Sequence, residues 1–238
     1  MFSFLKSIKS SNKESGFKSS KHAVLGTFLS APIATDEEEI LFGCGCFWGA
    51  EKGFWKLPGV ISTSVGYAGG EKSNPSYQEV CTGNTGHTEV VRVVWKKSSV
   101  DLSDLLKLFW ECHNPTQGNR QGNDKGTQYR SAIYAFKEKH IELAFNSRES
   151  YQEALIKNGY GDITTEIGIN KKYYFAENYH QQYLAKPGAR PYCSAMPTNV
   201  ILEDFKKSNF ILDKEIWVNY DWSKNHCILN SSNEAITL

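Results

Sequence analysis

The alternation of strand-length apolar runs with helical stretches is the feature that most constrains the fold of this chain. Runs at 40–45, 60–65, 89–95, 131–136 and 164–169 have the length and β-branched composition of strands. Stretches at 49–57, 101–114, 137–158 and 176–184 carry apolar residues at helical spacing. The order β-α-β-β-α-β, with additions, predicts an α/β (α+β) fold. We expect a two-layer ferredoxin-like sandwich of a mixed sheet with helices, followed by an irregular C-terminal segment.

The chain divides into three parts by composition. Residues 1–38 are rich in serine and lysine, and Glu14 is their only acid before Asp36, so we expect a disordered or targeting N-terminal tail. Residues 39–198 contain the predicted elements and form the catalytic domain. Residues 199–238 form a C-terminal extension of unknown role. We expect a cytoplasmic protein, or a mitochondrial or other organellar one if residues 1–38 are a transit peptide.

Charge and hydropathy exclude two classes of partner. The net charge is only +1, so there is no strongly basic field for nucleic acid. No apolar run reaches the ~20 residues of a membrane span. The first residues do not resemble a secretory signal, and the six cysteines are therefore expected to be free thiols in a reducing compartment.

Cys46 is the strongest candidate for a reactive group. It follows a predicted strand and precedes a predicted helix, where unpaired N–H groups and the helix dipole favour a thiolate. Phe47 and Trp48 follow it and can wall a small apolar pocket, and glycines on both sides leave the sulfur uncovered. A buried structural cysteine is the alternative interpretation.

Several groups that could donate hydrogen bonds lie near predicted loops. Glu89 begins a strand, where partial burial would raise its pKa and let it act as a general acid; an ordinary strand-end glutamate is the alternative. Tyr77 and Tyr129 are phenols beside glycine-rich loops, and Asp124 lies in the second of these loops. We expect the loops around Gly66 and Gly122 to reach the end of the sheet that carries Cys46.

Two further cysteines bear on the chemistry. Cys193 lies in a segment rich in proline and glycine, which predicts an irregular, mobile stretch that could bring its thiol to a reactive one. Cys44 and Cys46 form a Cys-x-Cys pair, but a structural zinc site needs paired ligands at two places, and the remaining cysteines are scattered. We therefore expect no metal, although a zinc or redox-sensing module remains an alternative.

Ordered motifs along the chain resemble those of the peptide methionine sulfoxide reductase A family. The resemblance begins with Gly-Cys-Phe-Trp-Gly at 45–49 and Gly-Tyr-Ala-Gly-Gly at 66–70. It continues through residues 77–81, 86–89, 109–111, 113–115, 121–131 and 176–184. It covers residues 39–198 and implies a thioredoxin-dependent reduction of methionine S-sulfoxide, free or in proteins, to methionine.

The resemblance also implies roles for single residues. Cys46 would attack the sulfoxide sulfur and become a sulfenic acid, while the sulfoxide oxygen receives a proton or hydrogen bonds from Glu89, Tyr77 and Tyr129. The S-methyl group would be held by Phe47 and Trp48, and Asp124 would organise the site.

The resemblance further implies how the enzyme is recycled. Cys193 would close a disulfide with Cys46 that thioredoxin then reduces. No cofactor is implied, and the family is typically monomeric.

The chain departs from this family's pattern at two cysteines. Cys44 stands where we expect another residue type, and it could compete as a partner for Cys46. The cysteine after Cys193 is Cys227, far along the chain, and we expect that it does not relay electrons.

An enzyme of a different class, a cysteine hydrolase, would need His87 or His180 as a base beside Cys46.

Overall fold

The computed structural model describes residues 17–219 and 227–237. The strands are β1 (Glu37–Cys44), β2 (Val60–Ala68), β3 (Thr88–Lys96), β4 (Arg120–Gln121), β5 (Asp124–Lys125), β6 (Ser131–Ala135), β7 (Glu166–Ile169) and β8 (Tyr173–Phe175). The helices are α1 (Phe47–Lys56), α2 (Tyr77–Cys81), α3 (Leu102–Glu111), α4 (Glu138–Lys157), α5 (Lys214–Asn219) and α6 (Cys227–Asn230). Within these ranges no helix is both long and apolar enough to cross a bilayer.

A mixed sheet with the strand order β7-β6-β1-β3-β2-β8 forms the centre of the fold. The β6–β7 pair is parallel, and the other neighbours are antiparallel. Ile40 and Phe42 of β1 join the large core, whereas Leu41 between them joins a small cluster of its own, because successive side chains of a strand point to opposite faces. The predicted α/β sandwich with a mixed sheet is confirmed.

Antiparallel pairing gathers the predicted site residues at one end of the sheet. Cys44, the last residue of β1, lies opposite Ser131, the first residue of β6. Ala68 at the end of β2 lies opposite Thr88 at the start of β3. Because antiparallel neighbours run in opposite directions, β1 and β2 end where β3 and β6 begin. We call this end the catalytic edge.

The structure differs from the predicted elements in several places. The helix predicted at 176–184 is wrong: the chain leaves β8, makes turns and ends in a 3₁₀ turn at Tyr183–Ala185. The Gln181 side chain instead pairs with the backbone N–H and C=O of Val65 on β2. The elements that periodicity did not predict are the short helices α2, α5 and α6, the β4–β5 hairpin and the strand β8. The edge strand predicted at 164–169 is confirmed as β7.

Part of the predicted N-terminal tail packs on the domain. The Leu29 side chain is fully buried, and the Thr27 hydroxyl donates to the Ile61 carbonyl at 2.7 Å. His22 is also buried; its Nδ1 accepts from backbone N–H groups, so its Nε2–H donates to the Thr63 hydroxyl at 2.8 Å. Burial lowers the pKa of His22 to about 3, which keeps the ring neutral. Of the predicted tail, residues 1–16 lie outside the described ranges.

The C-terminal extension wraps around the helices. Glu111 of α3 accepts from the Leu202 N–H at 2.8 Å, and Asp104 accepts from the Ile211 and Leu212 N–H groups. The chain then returns to α1. There the extension is held by hydrogen bonds from Lys52, Trp55 and Lys56 to backbone oxygens of residues 231–234.

We predict that Leu29→Ala lowers the free energy of unfolding by about 2–4 kcal/mol, because a buried leucine loses its contacts and leaves a cavity. The neighbouring Phe28 is 56% exposed, so Phe28→Ala serves as the matched control and should cost less than about 1 kcal/mol. Urea unfolding of both variants measures the difference. Equal stability of Leu29→Ala and wild type would show that residues 17–31 do not contribute to the core.

Candidate active site

Cys46 is the N-cap residue of α1, directly after β1. Gly45 before it has a φ of +87°, a left-handed conformation that glycine adopts without strain, and this turn joins the strand to the helix. The Cys46 side chain is partly exposed, so substrate can reach the thiol.

The expectation that the helix start favours a Cys46 thiolate is wrong for the resting protein. Burial raises the pKa of Cys46 well above its usual value, and the carboxyl groups of Glu89 and Asp124 raise it further. The backbone N–H of Trp48 lowers the pKa but is the weaker effect. Desolvation penalises the charged form more strongly than the helix end favours it. The resting nucleophile is therefore a neutral thiol.

Glu89 lies at the catalytic edge as the second residue of β3. Its carboxyl group is buried and accepts a hydrogen bond from the Phe47 N–H at 3.0 Å. Burial raises the pKa of Glu89 to about 8, against the lowering effect of that hydrogen bond. At neutral pH this carboxyl group is mostly protonated and can donate a proton.

The two predicted tyrosines and Asp124 lie near the same edge. Burial raises the pKa of both Tyr77 and Tyr129; the neighbouring Cys81 raises that of Tyr77 further, and Glu89 and Asp124 raise that of Tyr129, so both phenols remain proton donors. Asp124 accepts from the Tyr192 hydroxyl through Oδ1 at 2.6 Å. Its buried Oδ2 has no hydrogen-bond partner among the described residues.

Phe47 and Trp48 belong to an aromatic group, as their positions after Cys46 suggested. The Trp48 ring stacks on Tyr183 with 3.8 Å between ring centroids, and its Nε1–H donates to His180 Nδ1 at 3.1 Å. His180 also contacts the rings of Phe47 and Tyr77. The Trp48 indole is thus fixed by a stack and a hydrogen bond.

The supporting residues His180 and Glu177 were not assigned these roles from the sequence. Glu177 accepts from the Tyr67 hydroxyl at 2.9 Å and from the Tyr77 N–H at 2.8 Å, which fixes the start of α2. Their only signal was the motif at 176–184, which the apolar spacing assigned to a helix. Glu177 and His180 contact residues of β2, α1 and α2, and the spacing of apolar residues along the chain does not reveal such contacts.

Cys193 lies in an irregular segment, as predicted, but its side chain is buried. Burial raises the pKa of this thiol to about 11. The sulfur lies against α1 at Gly49, where a Cβ atom would be only 2.6 Å away. Cys193 also contributes to the electrostatic environment of Cys46, so the two thiols are close enough to interact.

Cys44 lies in the core with Cys112 and His113 rather than with Cys46. The two sulfur atoms and a ring nitrogen of His113 all lie within 4.8 Å of one another. However, His113 Nδ1 bonds to the Phe109 carbonyl at 2.7 Å and Nε2 to the Ser131 hydroxyl at 2.8 Å. The Cys112 thiol also donates to the Phe109 carbonyl at 3.5 Å, so this group offers a metal ion few uncommitted ligand atoms.

Neither histidine considered for a cysteine hydrolase acts on Cys46. His87 Nδ1 accepts from the Gly70 N–H, and Nε2 bonds to the Lys72 carbonyl. His180 Nδ1 accepts from Trp48, and burial lowers the pKa of this ring to about 4. The groups that perturb the Cys46 thiol are carboxyl groups and Cys193. Among the residues that the structure describes, none of the groups that perturb Cys46 is the base that an acyl-transfer enzyme needs.

A thiol beside a protonated carboxyl group and two phenols, with a second thiol nearby, defines a cysteine-dependent oxidoreductase. The family model described as Peptide methionine sulfoxide reductase matches residues 38–213. The chain belongs to this family.

Relatives and solved structures agree with this assignment. MsrA 1 of Synechocystis, a peptide methionine sulfoxide reductase, is 57% identical over 180 residues, or 76% of this chain and 81% of that protein. Methionine sulfoxide reductase A of Corynebacterium diphtheriae matches with a TM-score of 0.70 at 47% identity, covering 77% of this chain and 88% of that one. Reduced Mxr1 of Saccharomyces cerevisiae has a TM-score of 0.65 at 35% identity, covering 73% and 97%.

We predict that Glu89→Gln changes the pH dependence of stability. The folded protein keeps the Glu89 proton up to about pH 8, whereas an ordinary glutamate has a pKa of 4.5. Between these values the unfolded state binds fewer protons, so the contribution of Glu89 to stability falls as the pH rises. The stability of Glu89→Gln relative to wild type should therefore increase by about 2–4 kcal/mol between pH 5 and pH 8.

Guanidinium unfolding at pH 5, 6.5 and 8 measures this change. Glu79 is the matched control because hydrogen bonds from Ser76 and Lys72 lower its pKa to about 2. Glu79→Gln should show almost no pH trend relative to wild type. A pH-independent difference for Glu89→Gln would contradict the raised pKa.

Proposed function

We propose that this protein reduces methionine S-sulfoxide, free or in proteins, to methionine, with Cys46 as the nucleophile. The observation that carries the proposal is the protonated Glu89 carboxyl group, which lies at the same sheet edge as the Cys46 thiol and hydrogen-bonds to the adjacent Phe47 N–H. A sulfoxide oxygen leaves only when it is protonated or strongly hydrogen-bonded, and a neutral acid supplies that proton.

The chemistry balances without an external proton source. The Cys46 sulfur attacks the sulfoxide sulfur while Glu89 transfers its proton to the oxygen, assisted by the phenols of Tyr77 and Tyr129. The thiol proton of Cys46 then restores the neutral carboxyl group. In the resulting adduct the hydroxyl group passes from the substrate sulfur to the Cys46 sulfur: the substrate S–O bond and the new S–S bond break, an S–O bond to Cys46 forms as a sulfenic acid, and methionine leaves.

The aromatic group provides the substrate site. Phe47 and the fixed Trp48 indole present an apolar wall for the S-methyl group. Asp124 has a buried Oδ2 with no partner in the described structure, so it can accept a donor from the substrate or from a water that the substrate orders. These contacts favour one orientation of the sulfoxide and support selection of a single epimer.

Recycling uses the second thiol and thioredoxin. Cys193 attacks the Cys46 sulfenic acid, a disulfide forms and water leaves. Thioredoxin then reduces the disulfide by thiol–disulfide exchange. The buried position of the Cys193 sulfur against α1 supports this route, since the attacking thiol is already held beside the helix that begins after Cys46.

We also propose that the protein acts as a monomer in the cytoplasm, or in an organelle to which residues 1–38 direct it. Phe17 stacks on Phe175 with 4.0 Å between ring centroids, and His22 and Leu29 are buried, so we expect any removal of a targeting segment to end before residue 17. N-terminal sequencing of the protein from its native cells tests this. An intact Met1 would rule out processing, and a start within residues 17–31 would contradict the packing argument.

We predict that the wild type consumes NADPH with thioredoxin and thioredoxin reductase when given the S epimer but not the R epimer. Cys46→Ser should abolish this activity, because a hydroxyl group is a far weaker nucleophile and cannot form a disulfide. Separate assays of the two epimers measure both points. Turnover by Cys46→Ser, or equal use of both epimers, would overturn the proposal.

We predict that Cys193→Ser still forms about one equivalent of methionine without reductant, since the first step needs only Cys46. Its turnover with thioredoxin should fall to near zero, because no disulfide is available for exchange. Dithiothreitol should restore turnover by reducing the sulfenic acid directly. The wild type assayed in parallel under the same conditions is the control. Normal turnover of Cys193→Ser with thioredoxin would refute the assignment of Cys193.

A further inference from the structure

The backbone conformation at position 49 does not require a glycine. It lies inside α1, and its φ is outside the left-handed range that favours glycine. Within a helix, glycine is less favourable than alanine by up to about 1 kcal/mol. Gly49 therefore weakens the helix that carries the catalytic thiol, and the reason must come from its contacts.

The contact is with the second thiol of the reaction. A Cβ atom on Gly49 would lie 2.6 Å from the Cys193 sulfur and 3.3 Å from the Cys193 Cβ. Favourable contacts between heavy atoms require about 3.5–4 Å, so even alanine would displace this thiol. The Ile228 side chain of α6 lies 3.7 Å from the same point. The sulfur thus occupies the space that any side chain at position 49 would fill.

The place of Gly49 near the start of α1 puts this space close to the nucleophile Cys46. Gly49 is the third residue of α1 and Cys46 is its N-cap, and an N-cap side chain lies close to the backbone of the second and third helical residues. The residues that follow Cys193 are also held in place. The Met196 N–H donates to Gln121 Oε1 at 3.0 Å, and the Ser194 carbonyl occupies the place of a Cβ on Gly122.

We propose that Gly49 is a positioning residue for disulfide formation. The space left by its missing side chain accommodates the Cys193 thiol and places it beside the Cys46 sulfenic acid. In this step the Cys193 sulfur attacks the Cys46 sulfur, the S–S bond forms, the S–O bond breaks, and the thiol proton leaves with the oxygen as water. The inference rests on the proposed reductase function. It adds that a residue without a functional group sets the rate of the second step.

The test is Gly49→Ala, followed through a single turnover without reductant. Methionine release should stay within about twofold of wild type, because Cys46, Glu89 and the aromatic wall are unchanged. Disulfide formation should slow by about 10- to 100-fold, since a displacement near 1 Å can cost that much. Loss of titratable thiols measures this step, and trapping with dimedone should detect a longer-lived sulfenic acid.

The choice of reductant gives a second readout. Dithiothreitol reduces the sulfenic acid directly and should restore turnover of Gly49→Ala to the wild-type level, whereas turnover with thioredoxin should stay slow. Gly161→Ala is the matched control, because a Cβ there meets no atom within 4 Å. It should match wild type in every assay.

Stability measurements test the contact independently of activity. Gly49→Ala should lower the thermal midpoint despite its better helix propensity. Adding Cys193→Ala should recover the loss, because the displaced sulfur is then absent. If Gly49→Ala slows both chemical steps equally or neither of them, or if Cys193→Ala recovers nothing, the inference fails. A wild type that releases no methionine would instead refute the proposed function.

Discussion

The antiparallel pairing of β1 with β3 and β6 is the constraint on which the site depends. It places the end of β1, and hence Cys46, beside the start of β3, which carries Glu89. The Phe47 N–H then joins the start of α1 to the Glu89 carboxyl group across that edge. A slip of one residue in the register would turn Glu89 to the opposite face of the sheet. Nucleophile and acid are thus positioned by backbone hydrogen bonds rather than by flexible loops.

Burial keeps the reacting groups neutral. It raises the pKa values of Glu89 and Cys46 together, so the resting site holds a carboxylic acid and a thiol instead of two anions. Two neighbouring negative charges would be unfavourable in so dry a site. This arrangement suits a reaction that must deliver a proton to an oxygen. It costs folding stability at neutral pH, which is a common consequence of a functional site.

Segments from both ends of the chain support the catalytic helix. At one side, His22 bonds to Thr63, whose hydroxyl donates to Glu51 of α1 at 3.2 Å. Burial raises the pKa of Glu51 to about 7, and Gln182 supplies two further hydrogen bonds to this carboxyl group. At the other side, backbone carbonyl groups of the C-terminal extension accept hydrogen bonds from the Lys56 ammonium group. The helix that presents Cys46 is therefore held by parts of the chain that lie outside the central sheet.

The sequence by itself determined the five longer strands, the long helices and the candidate chemical groups, because these depend on local periodicity and on residue type. It marked Cys46, Glu89 and the two tyrosines as candidates, and the resemblance to a known family supplied their roles. Only the tertiary structure decided that 176–184 is no helix, since Gln181 pairs with β2 and Gln182 adopts a φ of +46°. It also decided that Cys46 rests as a thiol and that Cys193 lies against Gly49. Burial and contacts between distant segments set these properties, and neither is encoded in local spacing.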